Sequence, residues 1–371
     1  MNSKAKITVA SIISILSLAS FGFSDGHSGD TYGPYPVTLK GYTGNKTNSV
    51  SYTGQIGRQV LHTSIKKLSS QGNGGANAGR IKAEMMSYFG GTDKNKKILS
   101  PVDKGDFNIK QETMREISNT NLAGKASKGV VNGWPGQMTG KETLAFMIDK
   151  AASTNKGFDP STGYDYIQLI SKFTMGAVFY HQACDNYLDE KMDADNKPNN
   201  KPYKEGKHYT GKEHSWDEAF GYLYGQEADA TRADLGTSPT GNGTTLNKYF
   251  KKINDSNEPG LANTVFDAFK LGRAAIIAGN YDVRDAQANI IKINLSKVVG
   301  YKAIDYLESY MSKKAATPAD AIHALSEGYG FILSLMFTND GTGSPYFSEA
   351  EVNSMLSKLS NFWTVQDNDL T

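Results

Sequence analysis

The chain has 371 residues, with 40 Lys and Arg against 38 Asp and Glu, a formal charge of +2 and a mean hydropathy of −0.48. That length builds one large domain or two modest ones with a sizeable core. The near-balance of charge argues against a broad footprint for nucleic acid or anionic membrane, and the composition excludes a multi-span membrane protein. The single cysteine, Cys184, excludes a disulfide framework and any zinc site built from several cysteines.

Residues 1–24 read as a secretory signal. Lys4 and Lys6 form its charged start, and Ile7 to Ala19 form an apolar run too short to span a bilayer. Gly22-Phe23-Ser24 places small residues for cleavage before Asp25. Without Lys4 and Lys6 the basic and acidic counts are equal. No cysteine lies near the cleavage point, so a bacterial lipid anchor is not expected. These features predict a soluble periplasmic or secreted protein with no transmembrane anchor after cleavage.

Residues 25–50, rich in Gly, Ser, Thr, Tyr and Asn with Pro34 and Pro36, have no period and predict an extended linker. From 51 to 371 the pattern is helical with long polar interruptions. It predicts an all-α multi-helix bundle of about ten helices, either one unit or two packed halves, about 51–205 and 206–371. Val60, Leu61, Ile65 and Leu68 mark a first amphipathic helix, and Ile81, Met85 and Met86 a second. Met114 and Ile117 suggest a short third. Thr139, with Glu142 three residues on, predicts a capped start for a helix to Ala152.

A long helix is expected from Tyr164 to about Lys191, then a solvated loop over 193–212. Further helices are expected near His214–Gly225, Leu246–Ile253, Leu261–Ala278 and Val283–Lys313. Thr317-Pro318 opens another, running to Phe337. Asn339-Asp340-Gly341 reads as a turn, and Ser348–Phe362 as the last helix.

Three histidines have a carboxylate four residues on: His181 with Asp185, His214 with Glu218, and His323 with Glu327. On a helix each pair shares a face and is spaced to close on one metal ion. The His214 segment also holds Trp216, Asp217, Phe220 and Tyr222. A carboxylate buried beside Trp216 needs a positive partner, and Arg273, heading a very apolar run, is the expected clamp to Asp217 or Glu218. Gly328 and Gly330 within a helix predict close packing. Cys184 reads as buried and inert. No nucleophile-with-base pattern, GxSxG or zinc-peptidase motif is present, so the sequence leans away from an enzyme.

Five segments occur in a distinctive order: Ser51-Tyr52-Thr53-Gly54-Gln55 with Arg58; Lys172 to Ala177; Glu213 to Tyr222; Ala268 to Ile276 around Gly272-Arg273; and Leu325 to Phe331. Together they resemble the exported bacterial family known as domain of unknown function 4856, over about residues 50–360. Members of that family are similar in helical architecture to the imelysin-like proteins, helical bundles with a GxHxxE motif implicated in metal binding, and many are associated with iron acquisition. The chain departs from that motif. Gly211 lies three residues before His214, the residue at +3 is Asp217, and Glu218 is at +4.

The resemblance implies an exported binding protein for iron or another metal. Its expected ligands to Fe or Zn are His214, Asp217 and Glu218, with His323 and Glu327 from a facing helix. Arg273, Gln182, Lys172, Trp216 and Tyr222 are expected to support them. The expected partners are a metal ion or iron-carrying ligand and an outer-membrane uptake receptor. Two alternatives compete: a structural or interaction protein whose His, acid and Arg cluster is a buried polar network, and a hydrolase.

Overall fold

A computed structural model describes residues 29–99, 111–117, 121–131, 136–193, 197–225, 228, 238–239 and 245–370. The signal reading of residues 1–24 lies outside the described residues. The fold is all-α, as the periodicity predicts. Among the described residues the ten α-helices are α1 Thr53–Ser69, α2 Ala78–Phe89, α3 Gly140–Ser153, α4 Tyr166–Thr174, α5 Gly211–Tyr224, α6 Leu246–Asn254, α7 Leu261–Ala278, α8 Tyr281–Lys313, α9 Pro318–Ser334 and α10 Glu349–Lys358. The strand content among the described residues is one antiparallel pair of two-residue strands, Val130–Val131 and Met138–Thr139, leading into α3.

Local chemistry sets several boundaries. Thr139 and Glu142 form the expected reciprocal cap of α3, and Thr210 and Glu213 do the same for α5. Pro318 occupies the first turn of α9, where its missing N–H costs nothing. The last helix stops at Lys358, short of Phe362, because Asn361 caps a separate 3₁₀ turn by accepting from the Trp363 N–H.

The long helix predicted from Tyr164 is α4 followed without a break by a thirteen-residue π-helix, Met175–Tyr187. π turns usually occur singly and often near functional sites. This one ends where Tyr187 enters the site described below.

α8 lies between α7 and α9, and α9 also packs on α4. Close approaches need small residues. A Cβ on Gly330 would stand 2.7 Å from the Cβ of Lys172, and one on Gly221 would stand 2.6 Å from that of Tyr52. Gly272 makes room for the ring of Trp216 in the same way. Residues 29–50 hold no helix, but they are part of the core. Tyr32 and Tyr35 are fully buried, and Tyr32 stacks on Phe220 with centroids 3.7 Å apart. Among the described residues no helix is long and apolar enough to cross a membrane.

Candidate functional site

Three polar centres lie in the bundle. The deepest is a clamp between α5 and α7. Arg273, fully buried, donates from Nε to Asp217 Oδ1 (3.0 Å), from Nη1 to Glu213 Oε1 (3.2 Å) and from Nη2 to Ser49 Oγ (2.7 Å). The Tyr32 hydroxyl donates to Asp217 Oδ1 (2.7 Å) and the Ser51 N–H to Asp217 Oδ2 (3.3 Å). The Tyr35 ring lies 4.6 Å from the guanidinium. Burial pushes the Asp217 carboxyl up to about 6 despite Arg273 and Tyr32. Burial works against the Arg273 charge, but Asp217 and Glu213 outweigh it and raise the guanidinium's affinity for its proton. Arg273 is therefore the clamp expected from sequence, closed on Asp217 and Glu213 and not on Glu218.

One helical face away, His214 and Glu218 look toward the start of α1. His214 Nδ1 lies 3.1 Å from the Ser51 carbonyl, and its Nε2 lies 3.7 Å from Glu218 Oε2. Gln55 Nε2 donates to Glu218 Oε1 (2.8 Å). Tyr187 hydrogen-bonds Glu218 and accepts from Lys125 Nζ at 2.8 Å. Tyr209 stacks on the imidazole with centroids 4.5 Å apart, and Tyr203 lies at 4.9 Å. Burial lowers the His214 pKa below its usual value, and Glu218 only partly opposes this. Burial alone would raise Glu218, but His214, Lys125, the Gln55 hydrogen bond and Arg58 prevail and hold it ionised. Burial therefore favours the neutral imidazole beside the Glu218 carboxylate around neutral pH, and the two pair as ions only where His214 takes up a proton at lower pH.

Gln182, expected as a supporting residue, donates to the Lys125 carbonyl (2.9 Å) and so fixes the backbone that presents Lys125. Trp216 is core, its Nε1 donating to the Phe269 carbonyl (3.0 Å). Tyr222 is buried beside Arg58.

The third centre joins α4 to α9. Lys172, 1% exposed, pairs with Glu327 Oε1 at 2.7 Å and donates to Gln168 Oε1 (2.9 Å). Tyr306 hydrogen-bonds Glu327. His323 Nδ1 lies 3.0 Å from Asp165 Oδ2, with Nε2 3.9 Å from Glu327 Oε2. The Asp165 hydrogen bond raises the His323 pKa, against burial, so this histidine favours its charged form.

The second and third centres follow one plan. His214-Ser-Trp-Asp-Glu218-Ala-Phe-Gly221-Tyr222 aligns with His323-Ala-Leu-Ser-Glu327-Gly-Tyr-Gly330-Phe331. Ser51 holds His214 through its carbonyl and donates its N–H to Asp217. Asp165 holds His323 through its carboxylate and donates its N–H to Ser326, which aligns with Asp217. Arg58 follows Ser51 at the spacing at which Lys172 follows Asp165, and each supplies a buried cation to the helix bearing the His–Glu pair. The two copies differ in outcome. Lys172 closes the second into an ion pair, whereas Glu218 keeps its approach to a neutral His214.

The five residues expected as one ligand set are therefore separated. Both Asp217 oxygens are taken within the clamp, and His323 and Glu327 are engaged by Asp165 and Lys172. Among the described residues no group of three or more His, Cys, Asp or Glu side chains is placed to hold one metal ion. His214 with Glu218 is the pair that remains. His181 and Asp185 form a separate surface pair at 3.0 Å, and the Cys184 thiol is buried and pushed up by that burial, hence unreactive.

Sequence reasoning missed Gln55, Lys125, Tyr187, Lys191, Lys197, Tyr203 and Tyr209. Those on loops carry no local signal. The repeated His-x₃-Glu-x-aromatic-Gly-aromatic string was legible and would have pointed to the two helix starts that face it.

Burial, and after it the like charge of Arg58, lowers Lys125 to about 7, with Glu218 opposing. A lysine whose folded value is depressed contributes stability that is fully present above its ordinary pKa and lost as pH falls through the folded value. Lys125→Met is therefore expected to raise stability at pH 6 by about 1 kcal/mol, discounted for partial solvent screening, with the gain shrinking toward pH 10. Urea melts at the two pH values check it, and a gain equal at both would refute the charge explanation.

The family model described as Domain of unknown function (DUF4856) matches residues 41–371. No curated protein and no solved structure matches the chain.

Proposed function

For a chain that belongs to the DUF4856 family, we propose the role of an exported binding protein that captures a metal, iron foremost, at His214 and Glu218. One observation carries this reading. The Ser51 carbonyl can only accept, so His214 Nδ1 carries the proton and Nε2 is left with its lone pair. That lone pair faces the Glu218 carboxylate at 3.7 Å. Two electron-rich atoms held face to face are relieved by a cation between them. A backbone carbonyl behind the far ring nitrogen is the arrangement that orients a metal-binding histidine. Imidazole and carboxylate suit Fe or Zn. Two protein ligands leave the remaining positions to whatever accompanies the metal. Delivery to an outer-membrane uptake receptor belongs to the same reading.

The test is metal content by mass spectrometry on untagged protein purified from its native compartment without chelator, with His214→Ala/Glu218→Ala as control. Near-stoichiometric Fe or Zn, lost in a folded variant, is the expected result. Metal in neither protein after dialysis against both salts and against ferric citrate would sink the assignment. A second reading, a non-catalytic structural or interaction protein, is favoured by the Arg273 clamp. It expects His214→Ala to lower stability while metal content stays at zero throughout.

A further inference from the structure

We infer that the metal is carried as an anionic, oxygen-rich chelate, whose negative groups are taken by Lys125, Lys191 and Lys197 beside the His214–Glu218 pair. This rests on the metal reading above and names the substrate class of that site.

The three lysines come from separate segments: the connection before α3, the 3₁₀ turn Glu190–Met192 after the π-helix, and the loop that leads to α5. All three are half-buried. Their Nζ atoms gather on the tyrosines around the pair. Lys125 lies 5.2 Å and Lys191 4.2 Å from the Tyr187 ring centre, and Lys197 lies 4.6 Å from that of Tyr203. Among the described residues none of the three closes an ion pair, and Glu218 is the acid whose field all three share. Among the described residues three lysines thus share the field of Glu218, with Glu190 acting on Lys191 as well.

That balance repels a bare dication approaching His214 and Glu218 and attracts a complex with net negative charge. Lys125 is held ready for such a ligand, because Gln182 fixes its carbonyl and Tyr187 its ammonium. Two protein ligands also match a metal that arrives already wrapped by oxygen donors.

The test is equilibrium dialysis and calorimetry with ferric citrate in excess citrate, citrate alone, and Zn²⁺ alone. Wild type is compared with Lys125→Gln/Lys191→Gln and with His214→Ala, each checked for fold by circular dichroism. The lysine variant is expected to lose at least about ten-fold in ferric citrate affinity while binding Zn²⁺ more tightly, because like charge has been removed. His214→Ala is expected to weaken both. Added salt should weaken ferric citrate and leave Zn²⁺ less affected.

Zn²⁺ binding by the wild type, with ferric citrate unbound or indifferent to the lysine change, overturns this inference and leaves the metal site standing. Citrate bound as tightly as its iron complex overturns it too. No binding of Zn²⁺ or ferric citrate overturns both.

Discussion

Arg273→Met is expected to cost about 3–5 kcal/mol of stability, the range for removing one partner of a buried, hydrogen-bonded charge pair. The guanidinium joins α7 to Asp217 and Glu213 of α5 and to Ser49 of the N-terminal segment, and is itself 0% exposed. Its loss strands one carboxylate with no solvent access and another that also caps α5 through Thr210. The Asp217 carboxyl, already raised to about 6 by burial, would then rise further and take up a proton near neutral pH.

Chemical denaturation at pH 7 and pH 5 measures this effect. The cost should shrink at pH 5, where the stranded acid is more readily protonated. Adding Asp217→Asn to Arg273→Met should recover part of the loss, because the amide keeps hydrogen-bonding capacity without the charge. A single-variant cost below about 1 kcal/mol would show that the clamp is not a main tie between α5 and α7.

The second large effect is expected at Lys172→Met, about 2–3 kcal/mol, below the fully buried range because Glu327 keeps some exposure and retains His323 and Tyr306. Burial disfavours the charge on Lys172, but Tyr249 and Glu327 outweigh it. The carboxylate left behind sits under α9 where that helix touches α4. Lys172→Met/Glu327→Gln should be nearer the wild type than Lys172→Met alone, since an apolar and neutral pair replaces a buried ionic one. A double variant no better than the single would mean that the loss comes from packing of the lysine stem against Gly330.

Both effects concern residues that the sequence singled out for other parts. Asp217 and Glu327 were expected as metal ligands, because i, i+3 and i, i+4 spacing places them near His214 and His323 on a helix face. Spacing within one helix does not say which neighbour the face meets. Asp217 is one residue from Glu218, so the two carboxylates point about 100° apart around α5. One meets Arg273 of α7 and the other meets Gln55 of α1. His214 and His323 read alike in sequence. They differ because Ser51 offers a carbonyl where Asp165 offers a carboxylate, and because Lys172 reaches Glu327 to form a direct ion pair. The lysines near Tyr187 lie in segments with no periodicity, so they could be gathered only by the chain path.

The all-α class, most helix boundaries and the buried position of Arg273 were legible in the residues alone. Those follow from apolar periodicity, from caps such as Thr139 with Glu142, and from the cost of burying a charge without a partner. The tertiary structure decided which acid Arg273 holds, that residues 29–50 belong to the core, and that His214 with Glu218 stands apart from His323 with Glu327. Each of these depends on the rotation and crossing of helices far apart in the chain, which local spacing does not encode.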